Sequence, residues 1–174
     1  INGVFAPDWT VGGGQPLNRC SSLTPVEAPA LQGTGILAHT WWSGNTVKLL
    51  EGGGELLRNN AGAPAPTAGG PYPWVTADLS YVSCLSSVKN ASGEGFLAVD
   101  RNGTKYYFDW MAQYKEPLIR HVTLYEGSYE LGGPVSRKFN RRRNVLYPTR
   151  IVDRFGNSVT YTWANAFNAP GKLT

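Results

Sequence analysis

The densest chemistry-bearing stretch of the sequence is Arg137-Lys138-Phe139-Asn140-Arg141-Arg142-Arg143, with Arg150 and Arg154 beyond it. Seven basic residues against one acid between positions 137 and 154 suit an acidic polymer. The interleaved Phe139 and Tyr147 are what single-stranded nucleic acid stacks on. The competing reading is a solvated hairpin tip or a positive lining. We take that one, because Arg150 and Arg154 belong to a repeat pattern described below, so nucleic acid is not an expected partner. A second binding chemistry is sugar stacking, for which the adjacent Trp41 and Trp42 qualify. Neighbouring residues on a strand face opposite ways, so one of the pair enters a core and the other is available. The ligand-binding candidates are therefore Trp42, Arg137, Lys138, Arg141, Arg142 and Arg143, with glycans as the ligand class.

Catalytic arrangements are harder to assemble. Asp100 and Asp153 both open tight turns, where an aspartate carboxylate accepts backbone N–H groups. Asp100 with Asp109 is the obvious carboxylate pair for a glycosidase, the weakest of the readings. His39 and His121 are the only histidines, each alone within an apolar run, and a Cys84–His121 dyad has no local signature. Two His and two Cys without ligand spacing do not make a zinc site. No glycine run ends in the Lys-Ser/Thr of a phosphate loop. The expectation is a non-enzymatic protein without cofactor or metal.

The elements that position these residues are strands. Of 174 residues, 21 are Gly, 12 are Pro and only 16% are charged, which excludes helical bundles and coiled coils. The 6 Trp, 9 Tyr and 6 Phe exclude disorder, and together with Val and Thr between Gly/Pro turns they read as all-β. Strands are expected at 36–42, 74–85, 95–99, 106–110, 118–125, 145–147, 150–153 and 159–163, with a helical turn or two at 109–115. The near-palindrome Leu49-Leu50-Glu51-Gly52-Gly53-Gly54-Glu55-Leu56-Leu57 reads as two strands joined by a glycine turn. Residues 59–73, rich in Pro and Gly and without charge, form a loop within a single all-β unit spanning 1–174. Cys20 and Cys84 are compatible with one disulfide or with two buried thiols. No run of about 18 apolar residues is present to span a membrane as a helix. The +4 net charge divides unevenly: residues 1–100 carry four basic and seven acidic side chains, residues 101–174 twelve and five.

One internal correspondence organises the second half. Val99-Asp100-Arg101-Asn102-Gly103 leads to Trp110, and Val152-Asp153-Arg154-Phe155-Gly156 leads to Trp163, with Gly and Trp seven apart in both. Each copy reads as strand, Asp-led turn and aromatic strand, and the pair as related hairpins in one sheet separated by an insertion.

These residues resemble a known family. Asp153-Arg154-Phe155-Gly156-Asn157-Ser158-Val159-Thr160-Tyr161-Thr162-Trp163, followed by Gly171-Lys172-Leu173-Thr174, is similar to the YD repeat of RHS proteins, although Trp163 stands for the repeat's Tyr and Ala164 for its Asp. Gly103-Thr104-Lys105-Tyr106-Tyr107-Phe108-Asp109 resembles the "DGT-x-YYFD" stretch ahead of such repeats, and Trp9-Thr10-Val11-Gly12-Gly13 with Leu17-Asn18-Arg19-Cys20 resembles the opening of an RHS core. The resemblance covers about half the chain, in the right order. It implies an antiparallel β-hairpin ribbon of YD-repeat type that forms part of a hollow shell enclosing a C-terminal toxin, secreted or at a bacterial cell surface. The structural repeat positions are then Asp100, Gly103, Tyr107, Trp110, Asp153, Gly156, Tyr161 and Trp163. The partners implied are the remainder of the same polypeptide or a second copy at the sheet edges, and the enclosed toxin. The family's self-cleavage motif, Asp-Pro-x-Gly-Leu, is absent, so the chain is expected to be the opening of a core without its cleaving end or its toxin.

Overall fold

The computed structural model describes residues 3–8, 17–22, 44–60, 64–123 and 135–164. They form β1 (Gly3–Asp8), β2 (Thr46–Leu49), β3 (Gly52–Glu55), β4 (Leu57–Arg58), β5 (Trp74–Val75), β6 (Tyr81–Leu85), β7 (Gly95–Val99), β8 (Lys105–Thr123), β9 (Val135–Val152) and β10 (Ser158–Thr160). All ten join one sheet in the order β3-β2-β1-β9-β8-β7-β6-β5-β4, with β10 also beside β9. Every pairing is antiparallel. The described residues contain no helix, so the fold is the all-β antiparallel one that the composition implied.

The two ends of the sheet are a single run of chain. Only Leu56 separates β3, which pairs with β2, from β4, which pairs with β5. The Leu56 N–H donates to Asn45 O (2.8 Å) and the Asn59 N–H to Pro73 O (2.9 Å), so each half extends its own ladder. The sheet therefore curls back on itself, and Leu49, Leu56, Trp74, Val82, Phe96, Phe108, Leu146 and Ile151 meet inside it. Full burial of each such side chain contributes about 2 kcal/mol. Alternation sends Ala112 and Val145 to the other face, where they form a second cluster with Tyr147 and Trp163.

Several local expectations are corrected. The glycines 52–54 are not a turn: the turn is Leu50-Glu51, and the glycines are β3 itself. A side chain at Gly52 or Gly53 would collide. A Cβ on Gly53, whose φ is +111°, would lie 2.3 Å from the Val47 carbonyl oxygen. The same close approach lets the Gly53 N–H donate to the Asp78 carboxylate (2.8 Å). The single strand expected at 74–85 is two, β5 and β6, folded back through a turn in which Thr76 and Ser80 exchange hydrogen bonds. Loop 59–73, where described, has no strand, and β4 and β5 pair across it.

The largest correction concerns β8 and β9. Instead of strands at 106–110, 118–125, 145–147 and 150–153 with a helical turn at 109–115, the chain makes two strands of 19 and 18 residues paired along nearly their whole length. Irregular sequence is absorbed in bulges. Pro117, which has no N–H to give a ladder, falls in the register shift between Glu116 and Ile119. Asp109 and Thr149 are each skipped by the register near Phe108 and Pro148. The two skipped residues bond to each other: the Thr149 hydroxyl donates to Asp109 Oδ1 (2.6 Å), and Lys89 Nζ donates to Thr149 Oγ1 (2.6 Å). Before the start of β7, the Asn90 amide takes the place of a strand. It accepts from the Met111 N–H and donates to the Met111 carbonyl, both at 2.8 Å.

The cysteines form a disulfide, Cys20–Cys84. Around it, Arg19 donates to the carbonyls of Glu94 (2.7 Å) and Ser92 (2.8 Å), while Glu94 Oε2 accepts from the N–H groups of Cys20 and Ser21. Trp74 Nε1 donates to Cys20 O (2.8 Å). Segment 17–22 is thereby fastened to the sheet without being a strand of it.

Candidate functional site

The two Asp-led turns are the same structure twice. In the first, the Asp100 N–H donates to Thr104 O (3.0 Å) and the Gly103 N–H to Asp100 O (2.9 Å). Asp100 Oδ1 accepts from the N–H groups of Asn102 (2.8 Å) and Thr104 (2.9 Å). In the second, the Asp153 N–H donates to Asn157 O (2.9 Å) and the Gly156 N–H to Asp153 O (3.1 Å). Asp153 Oδ1 accepts from Phe155 (2.8 Å) and Asn157 (2.9 Å). Gly103 and Gly156 supply the left-handed residue of each turn, at φ of +84° and +92°. Because β8 and β9 are neighbours, the turns at their ends touch: a Cβ on Gly103 would sit 3.4 Å from Arg154 Cβ.

The aromatic repeat positions also converge. Trp163 is buried and donates through Nε1 to Pro148 O (2.9 Å). Its ring lies 4.6 Å from that of Tyr147 and 6.4 Å from that of Tyr161, with Trp110 and Tyr114 packed on the same cluster. The Tyr147 hydroxyl bonds that of Tyr114 at 2.6 Å, and burial, followed by this bond, raises the Tyr147 pKa. Tyr107 faces its cross-strand partner Arg150, whose guanidinium lies 5.5 Å from the ring centre.

Between the turns lies a cleft of about 340 Å³, walled by Asp100, Asn102 and Tyr106 on one side and by Asp153, Asn157 and Val159 on the other, and closed by Leu50 and Glu51. Asn102 Nδ2 reaches across to Glu51 Oε2 (3.1 Å). No sequence signal pointed to Glu51, which arrives from a hairpin fifty residues away and only because the sheet curls. The carboxylates of this cleft are occupied by acceptor duties. Asp153 is held below the usual aspartate value by the Asn157 side chain and then by backbone N–H groups, against a desolvation that acts the other way. Asp100 Oδ2 accepts from the Tyr106 hydroxyl (3.1 Å). The arrangement locks two turns together. The other candidate dyad is removed by the disulfide, since Cys84 is not a thiol.

Tyr106 carries a pH signature. Its phenol is pushed up to about 12, first by burial and then by the charge and hydrogen bond of Asp100. A tyrosine whose folded value exceeds the unfolded value of about 10 contributes stability that is whole below pH 10 and is lost as pH rises toward 12. Urea midpoints at pH 8 and pH 11 should therefore fall further apart for the unaltered protein than for Tyr106→Phe. Equal falls would show that the buried phenol does not titrate with unfolding.

The ligand-binding candidates are placed unevenly. Trp42, with Trp41 and His39, lies outside the described residues. Arg137, Lys138, Arg141 and Arg142 lie on β9, where the backbone register alone is described, opposite His121, Arg120, Glu116 and Lys115. Arg143 is exposed and stands over the Tyr114 ring, 5.6 Å from its centre. Among the described residues no three His, Cys, Asp or Glu side chains are grouped to hold a metal ion, and no helix is long and apolar enough to cross a membrane. The chain matches no protein-family model, no curated protein and no solved structure.

Proposed function

We propose that this chain is a non-enzymatic structural segment of an RHS/YD-type β-shell, a stretch of wall enclosing a toxin carried on the same polypeptide. The observation that carries this reading is the equivalence of the turns at Asp100 and Asp153, alike in every bond to a backbone N–H, on adjacent strands of one sheet. A hairpin that recurs beside itself and adds its Trp to a shared aromatic cluster is a unit from which a wall grows by repetition. The disulfide fits an oxidising compartment, consistent with a secreted or cell-surface protein. Outward of Lys115 and Arg142, β8 and β9 pair only with each other among the described strands. Those ribbon edges are where the remainder of the polypeptide, or a second copy, would add.

Solution scattering and sedimentation on the whole chain test the idea. A compact domain of this length has a radius of gyration of about 16 Å, whereas 19 residues of strand reach roughly 60 Å if straight. The shell reading expects a radius well above the compact value, or association that grows with concentration. A monomer at the compact value across a fifty-fold concentration range would overturn it.

A further inference from the structure

The outer half of the long hairpin holds more like charge than a strand pair tolerates alone. Residues 113–123 and 135–144 contain Lys115, Arg120, Arg137, Lys138, Arg141, Arg142 and Arg143 against the single acid Glu116, so seven cations less one acid leave +6. Across the β8–β9 ladder the register sets Lys115 opposite Arg142, Arg120 opposite Lys138 and His121 opposite Arg137, with Arg141 opposite the acid Glu116. On its β1 side Arg142 is also opposite Asp8, whereas Arg137 and Lys138 have no acid across from them among the described strands. Directly opposed residues are close neighbours, and like charges there destabilise the pair. A ribbon kept for pairing alone would set opposite charges across the ladder, as Glu116 and Arg141 do.

Two features indicate what offsets the repulsion. Five of the seven cations are Arg, whose planar fork matches the paired oxygens of sulfate and carboxylate groups. The cations also run along the strand through Arg137, Arg141 and Arg143 at one set of alternate positions and Lys138 and Arg142 at the other. Alternate positions repeat at about 7 Å. A linear polymer of anions can follow such a run, whereas a compact acidic patch meets only its middle. A disulfide such as Cys20–Cys84 is what proteins of oxidising compartments carry, and there the abundant linear polyanions are glycans rather than nucleic acids. We infer that the outer half of the β8–β9 hairpin binds an anionic polysaccharide, its sulfate or carboxylate groups lying along the Arg137–Arg143 run. The inference does not depend on the shell reading, because a free-standing module with this ribbon would bind in the same way.

The test uses the whole chain with heparin as the sulfated probe, polygalacturonate as the carboxylated one, and duplex DNA and neutral dextran as comparators. Binding to heparin or polygalacturonate should exceed binding to both comparators at equal salt. Lys138→Gln combined with Arg142→Gln should weaken it at least tenfold and lower the number of salt ions displaced by about two. Removing the same charge elsewhere, with Lys48→Gln and Lys105→Gln, should leave affinity within twofold. A rise in unfolding temperature in low salt should come from Lys138→Gln, which ends the like-charge opposition to Arg120. It should be smaller in the Lys138/Arg142 variant, because that one also gives up the Asp8–Arg142 opposition. If that variant does not fold, arginine modification by phenylglyoxal on the unaltered chain decides. Heparin should shield Arg137 through Arg143 relative to Arg58 and Arg101. Absence of binding, equal loss in both variants, absence of shielding, or tighter binding of duplex DNA would each overturn the inference.

Discussion

Replacing both Cys20 and Cys84 by alanine should lower the free energy of unfolding by about 4 kcal/mol. The disulfide closes a loop of 64 residues. The chain-entropy relation, a constant plus a term in the logarithm of loop length, gives that figure for such a loop. The loss should approach the full value, because the bridge anchors a segment with few other attachments. Residues 17–22 contribute no strand and depend on the Arg19–Glu94 clamp and the Trp74 bond to Cys20 O, both adjoining the bridge. At about 3 °C per kcal/mol for a chain of this size, the midpoint of thermal unfolding should fall by about 12 °C. The unaltered protein in strong reductant should fall by the same amount. A decrease under 1 kcal/mol in both would mean that the denatured chain already holds residues 20 and 84 together.

What the sequence discloses and what it conceals separate along a physical line. The paired turns are legible because their chemistry is local: one Asp oxygen reaches N–H groups two and four residues on, and Gly takes the left-handed position, so type and spacing suffice. The shared Trp offset is legible as a spacing, but the face it sets is not: Phe108 lies in the main core and Trp110 in the second cluster, because the register skips Asp109 between them. Strand length is not local. Residues 109–115 look irregular alone, yet 110–115 are each held straight by a partner on β9, and Asp109 and Pro117 are accommodated by bulges that only the two-strand register reveals. The turn at Leu50-Glu51 was hidden behind the more obvious glycines. Those glycines serve a close approach to Val47 and Asp78, neither of which adjoins them in sequence. The Lys89–Thr149–Asp109 set spans 60 and 40 positions, and no spacing rule reaches that far. The basic run was visible at once; its meaning was not, because like-charge opposition exists only after β8 and β9 are in register.

The same reasoning sets unequal costs for the two turn aspartates, although their bonds to backbone N–H groups match. Asp100 is buried, with 6% of its surface exposed, and its second oxygen holds the hydroxyl of Tyr106, itself 1% exposed. Asp100→Ala removes an acceptor from two backbone N–H groups and from a buried phenol at one stroke. At about 1 kcal/mol for each such bond, the loss is about 3 kcal/mol. Asp100→Asn keeps an oxygen for the backbone donors and should lose about half as much. Asp153→Ala opens a turn that water can reach, so its urea midpoint should fall by clearly less than that of Asp100→Ala. A double-mutant cycle isolates the phenol: Tyr106→Phe should cost less in the Asp100→Ala background than alone, because the partner it would abandon is already gone. If the two alanine variants lose equal stability, burial is not what distinguishes the copies. The second turn would then be as deeply enclosed in solution as the first, the condition expected when further hairpins cover it.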